Sequence, residues 1–147
     1  MTKRLQKNIG HFMRLYLLLA LFISSLPQVW AQDTPPSDAH VISLTVLHDK
    51  YIGMQVMVSG EQTFWVETVP GEFLKRTITS GWSSKEGFLS SGTTMKVYGN
   101  ITGFDIQNNF TDITGIDVTE CPNLTTLIVS NNTITTLNLT NNRELTH

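Results

Sequence analysis

The chain has 147 residues, of which ten are cationic and twelve acidic, giving a formal charge of −2. Four of the cations and no acid lie before Gln32, so the remainder carries six scattered cations against twelve acids, a formal charge of −6. That balance argues against nucleic acid as a partner, because phosphate neutralisation needs clustered Lys and Arg, and the single cysteine, Cys121, cannot form an internal disulfide.

Positions 1–31 read as a leader. Lys3, Arg4, Lys7 and Arg14 make a basic start, positions 15–23 are an unbroken apolar run, and Val29 and Ala31 place small residues three and one before a cut. These are the parts of a secretory signal peptide cleaved after Ala31. An uncleaved anchor would need about 20 apolar residues. No cysteine borders the cut, which argues against a lipoprotein. The expectation is a secreted, outer-surface or periplasmic protein with no transmembrane segment after cleavage. Its end at His147, inside a repeat unit and with no sorting or anchoring segment, is expected to reflect a truncated gene product.

Positions 32–39 are polar, carry Pro35 and Pro36, and read as an extended linker. From 40 to 100 the apolar period is two. Ile42, Leu44 and Val46 alternate with Ser43 and Thr45, Met54, Val56 and Val58 follow, and Phe64, Val66 and Thr68 oppose Trp65, Glu67 and Val69. Pro70-Gly71 suits the centre of a type II turn, with a return strand over 73–79. Positions 80–84 and 90–92 read as loops, and 94–98 as a last strand. Short strands at turn-marked spacing imply a small antiparallel, β-sandwich-like domain. The rings of Phe64, Trp65, Phe73, Trp82, Phe88 and Tyr98 would suit sugar stacking, but a small all-β domain also fills its core with aromatics, and that reading is preferred.

Positions 101–147 repeat. Ile101, Phe104, Ile106 and Asn109 match Leu124, Leu127, Val129 and Asn132 in the frame L-x-x-L-x-L-x-x-N. Out of phase, Ile113, Ile116, Val118 and Cys121 match Ile134, Leu137, Leu139 and Asn142, and a fifth frame opens at Leu145. Half-repeats thus nest in a longer unit that begins at Ile101, again at Leu124 and again at Leu145, the first unit being longer by Phe110-Thr111. In such a frame the L positions point inward and the x positions outward. The inward column is expected to hold Phe104, Ile106, Leu127 and Val129 on one side and Ile116, Val118, Leu137 and Leu139 on the other. Asn109, Asn132 and Asn142 are ladder residues whose amides serve neighbouring loops. Cys121 takes the same slot, where a small, buried residue fits.

The frames resemble the leucine-rich repeats of secreted bacterial surface proteins, the internalin-like kind with short nested repeats. The resemblance covers 101–147 firmly and 40–100 loosely. It implies an all-β chain, a small β domain capping a leucine-rich repeat β-solenoid of about two turns, with a binding role and no catalytic residues. At least three turns are usual for stability, and no polar cap closes the array. The last turn would be an open strand edge over an apolar column, a place for end-to-end self-association.

If the module binds, the outward positions Gly103, Asp105, Gln107, Thr126, Ile128 and Ser130 are the expected contacts, facing protein or glycan at a cell surface. No catalytic, metal or cofactor site is expected, and the chain is read as a non-enzyme. His48-Asp49, His40, Glu61, Glu67 and Glu72 are the only acid–base candidates, and adjacent strand residues such as His48 and Asp49 should face opposite ways. Asp105, Asp112, Asp117 and Glu120 lack calcium-loop spacing. Asn-x-Thr occurs at Asn100, Asn109, Asn123, Asn131 and Asn138, read as a by-product of the repeat. The alternatives are a non-functional remnant of a longer repeat protein and, behind it, an extracellular hydrolase.

Overall fold

The computed structural model describes residues 33–147. The leader and its cut after Ala31 lie outside the described residues. Among these there are ten strands and no helix, so none is long and apolar enough to cross a membrane.

Residues 33–40 belong to no strand. Alternation then builds β1 (Val41–Val46), β2 (Tyr51–Val58) and β3 (Gln62–Val69), with every second residue buried along β1 and β2. Gly71 takes φ 82°, as the third position of a type II turn requires, and folds β4 (Glu72–Ile78) back on β3 with Val69 opposite Glu72. Glu67 Oε1 accepts the Gly71 amide at 2.8 Å, which secures that turn. Two further strands form here, β5 (Gly81–Trp82) within the stretch expected as a loop over 80–84 and β6 (Glu86–Leu89) between the two expected loops, where the sequence pattern predicts no element. Each pairs with a separate part of β2, Trp82 opposite Met57 and Phe88 opposite Ile52. The long β2 outlasts any single short partner, and two brief strands share it. Phe88 is buried, and Ser90 is fully buried, donating to Leu47 O and accepting from Lys50 N. The domain closes with β7 (Thr94–Tyr98).

The repeat segment adds β8 (Gly103–Asp105), β9 (Ile113–Asp117) and β10 (Thr126–Ile128). One sheet runs β4-β3-β7-β1-β9 and is antiparallel throughout. The other runs β10-β8-β2-β5, with β6 also on β2, and is mixed, since β8 is antiparallel to β2 and parallel to β10. Neither closes into a barrel. Hydrogen bonds therefore cross the expected boundary at Asn100 and Ile101 in both sheets, and Phe104, Ile106, Ile113, Val118 and Leu124 join Ile42, Val56, Val66 and Met95 in one apolar cluster. The chain passes from the second sheet to the first through residues 106–112, where Asn108 and Phe110 take φ of 65° and 51°. The extra Phe110-Thr111 gives the length to reach the β1 edge, where Leu47 N donates to Asp112 O.

Burial fades along the repeats. Phe104, Ile106 and Val118 are fully buried, Leu127, Val129 and Ile116 are half-buried, and Leu137 and Leu139 are 40% and 37% exposed. The expected inward column is complete only where a strand of the β domain lies against it. No residue in 134–139 belongs to a strand.

Candidate binding face

The six outward positions lie side by side because β8 and β10 are parallel and in register. Thr126 stands beside Gly103 and Ile128 beside Asp105. The pairing runs on through Ile106 N to Ile128 O at 2.9 Å and Asn108 N to Ser130 O at 3.1 Å, which brings Gln107 level with Ser130. On its other edge β8 meets β2, with Gly103 opposite Met57 and Asp105 opposite Gln55. The strip is therefore three strands wide, and the β domain supplies one of them.

The six are not equally accessible. Gly103 is buried, against expectation, because Met57 and Trp82 lean over it: a Cβ there would lie 2.8 Å from Met57 Cβ and Cε and 3.0 Å from Trp82 Cη2. Only glycine lets the two strands keep this approach. Asp105 is also buried. Its carboxylate accepts the Gln107 amide N–H at 2.8 Å and Gln107 Nε2 at 3.0 Å, so it serves its own loop. Gln107, Thr126 and Ile128 are half-buried and Ser130 is exposed. Trp82, 40% exposed, and Lys85, whose Nζ donates to Gln107 O at 3.0 Å, flank them. The sequence pattern places Trp82 among the core aromatics and Lys85 at no site. Their stretch lacks a period of two, and only pairing with β2 brings them to this face.

Behind the face stand the ladder residues. Asn109 Oδ1 accepts from Gly53 N at 2.7 Å, and its Nδ2 donates to Gly53 O and Ile106 O. Asn132 Nδ2 donates to Ile106 O and Val129 O, one unit back and within its own unit. Asn142 Nδ2 donates to Val118 O and Cys121 O. The carbonyl oxygens Oδ1 of Asn132 and Asn142 are buried without a partner, whereas that of Asn109 is engaged by the β domain. Cys121 is buried in the equivalent slot, and burial, with Glu120 and Asp117 nearby, pushes its thiol up to about 12. It is a neutral, unreactive packing group at ordinary pH.

A second ladder is not readable from the sequence. Thr102 Oγ1 donates to Met57 O, Thr125 Oγ1 to Thr102 O, and Thr146 Oγ1 to Thr125 O. Exposed Asn123 and Asn131 donate to the side chains of Asn100 and Asn108. Asp117 and Asn138 each accept the amide and hydroxyl of a threonine two positions on, Thr119 and Thr140. The Thr119 bonds hold the Asp117 carboxyl below its ordinary range. Four of the five Asn-x-Thr threonines, Thr102, Thr125, Thr133 and Thr140, thus have structural hydrogen bonds.

His48 and Asp49 do meet, at 2.8 Å between Nδ1 and Oδ2, contrary to the expectation for strand neighbours. They sit in the β1–β2 turn, where Asp49 takes φ 57°, and both side chains are more than half exposed. Asp105, Asp112, Asp117 and Glu120 do not converge, and no cluster of three potential metal ligands exists among the described residues. No protein-family model, curated protein or solved structure matches the chain.

Proposed function

We propose that the chain is a secreted or cell-surface binding module, a small β-sandwich-like domain carrying a short leucine-rich repeat β-solenoid, that recognises protein or glycan on its strand face without chemistry. The observation that supports it most is the lateral run of β2, β8 and β10. Parallel strands in register, tied by Asn and Thr side chains that reach from one unit to the next, are the arrangement that stacked repeat units produce. They leave a mixed strip in which Ile128 is the apolar centre, Thr126, Ser130 and Gln107 are polar neighbours, and Trp82 and Lys85 form the flank. Two units alone offer little against the roughly 800 Å² per partner of a stable interface, so the contribution of the β domain matters. A role without chemistry agrees with a solvated His48–Asp49 pair and a protonated, buried Cys121.

The test is an array of extracellular proteins and glycans probed with the wild-type chain and with Ile128→Asp. A specific ligand whose affinity falls about tenfold or more in the variant, the loss typical of a central contact, with unchanged melting, is the expected result. A ligand held equally by both chains, or none at all, would remove the reading.

A further inference from the structure

A cavity of about 300 Å³ lies on the opposite sheet from the strand face, around Trp65. Because Phe64 and Val66 point into the core, Trp65 stands on the outer side of β3, beside Tyr98 of β7 and Lys75 of β4. The Lys75 ammonium lies 5.9 Å from the ring centroid. Trp65 is nevertheless only 8% exposed. The cavity wall is shared by the Pro36–His40 stretch, the start of β3 and Gly99-Asn100. Two of its lining side chains hold buried nitrogens with no hydrogen-bond partner, Trp65 Nε1 and His40 Nδ1. Buried polar groups are nearly always paired, so two such atoms on side chains that line one cavity call for a partner that the described residues do not supply.

We infer that this cavity is a binding site for a neutral, hydroxyl-rich ligand, a single sugar residue at the end of a glycan. The indole N–H can only donate, so the ligand must bring an acceptor. A purely apolar ligand would leave both nitrogens unsatisfied. An anion is disfavoured because the lining residues include no Lys or Arg and do include Asp38. The other polar lining residues, Gln62, Thr63 and Asn100, are neutral. Thr63 Oγ1 is bonded to Thr77 Oγ1 at 2.9 Å and Asn100 Oδ1 accepts from Asn123 Nδ2. That leaves the Gln62 amide as the uncommitted group, one that can meet a hydroxyl as donor and acceptor. The volume stands at the lower end of ligand sites, about 300–1,000 Å³, and suits one ring. Both unpaired nitrogens are closed off from bulk solvent. Pairing with a ligand therefore requires the wall to move, and its parts outside both sheets are Gly99-Asn100 and the turn closed by Ala39 N to Pro36 O at 3.0 Å.

This site is separate from the strand face, and the two can fail independently. The experiment follows the indole N–H signal of Trp65 by NMR, assigned with Trp82→Phe, during titration with the methyl glycosides of galactose and N-acetylglucosamine at millimolar concentrations, with methyl glucuronide as the charged control. The expected result is a saturable shift with a neutral sugar, weakened about fivefold in Gln62→Ala, the loss of one hydrogen bond, and unchanged in Ile128→Asp. The Gln62 side chain makes no hydrogen bond among the described residues, so its replacement leaves the fold intact even if Trp65→Phe does not. No saturable shift with either neutral sugar, equal or tighter binding of the glucuronide, or a crystal structure in which ordered water alone satisfies both nitrogens at the same sugar concentrations would overturn the inference.

Discussion

In the antiparallel part, residues 41–98, strands far apart in sequence satisfy one another's backbones and bury every second side chain. In the repeat part, 101–147, the strands are shorter, and Asn and Thr side chains reach one unit back to take up the carbonyls that strands no longer pair. The first arrangement generates its own core. The second inherits one: Phe104, Ile106, Ile113 and Val118 are fully buried beside β1 and β2, Ile116 opposite Leu44 is half-buried, and the apolar frame positions beyond Leu124 are half-buried or exposed. These repeat units are therefore stabilised from one end, by the antiparallel strands whose core they share.

Truncating an apolar side chain at each end of the gradient should give the largest contrast. Phe104→Ala should cost about 3–5 kcal/mol, as for any fully buried phenylalanine, and should unfold both regions together in a urea titration. Leu139→Ala, at a half-exposed position, should cost less than about 1 kcal/mol. Equal losses would show that the repeats hold themselves up. The ladder tests the same point with polar groups. Asn109→Ala strands Gly53 N and O and Ile106 O, and should cost about 3 kcal/mol. Asn132→Ala removes only donations and an already unpartnered oxygen, and should cost about 1 kcal/mol. Thermal melts of the pair rank them.

The junction between the regions is probed by Gly103→Ala. The new methyl would lie 2.8 Å from both Met57 Cβ and Met57 Cε, and the overpacking should cost about 1–3 kcal/mol; a second substitution, Met57→Ala, removes the Cε clash but keeps Cβ and should return only part of it. The smallest effect belongs to Cys121. Its thiol is neutral in the folded chain up to about pH 12, while in the unfolded chain it ionises near 9. Its contribution is therefore intact below pH 9 and declines as pH rises from 9 toward 12, because only the unfolded chain releases the proton. Cys121→Ala should flatten that part of the alkaline stability profile, and a thiol reagent at pH 8 should label the wild type only on unfolding.

Much of this was legible as pattern. The period of two fixes which faces of β1, β2 and β3 turn inward, Pro70-Gly71 marks the hairpin, and Asn109, Asn132 and Asn142 occupy slots whose backbone bonding the frame foretells. The brief strands β5 and β6 were not legible, because strands so short show no periodicity and their existence depends on the length of β2. Nor was the burial of Gly103 and Asp105: an outward position is open only if no neighbour leans across it, and Met57, Trp82 and Gln107 do. Composition places Trp65 among core aromatics, whereas the alternation of Phe64 and Val66 puts it on the outer face beside a cavity.

The features that follow from sequence alone are local. They are the strand faces, one hairpin, the recurrence of the Ile101 frame at Leu124 and Leu145, and the chemistry of the ladder slots, all set by backbone geometry and side-chain type over a few neighbouring positions. Adjacency came only with the tertiary structure. That β9 joins β1 in one sheet while β8 joins β2 in the other, that Trp82 flanks the repeat strip, and that Trp65 and His40 meet at one cavity depend on contacts between segments distant in the chain. No short-range pattern encodes those contacts, because they are chosen by which edges and apolar faces remain to be covered once the local elements have formed.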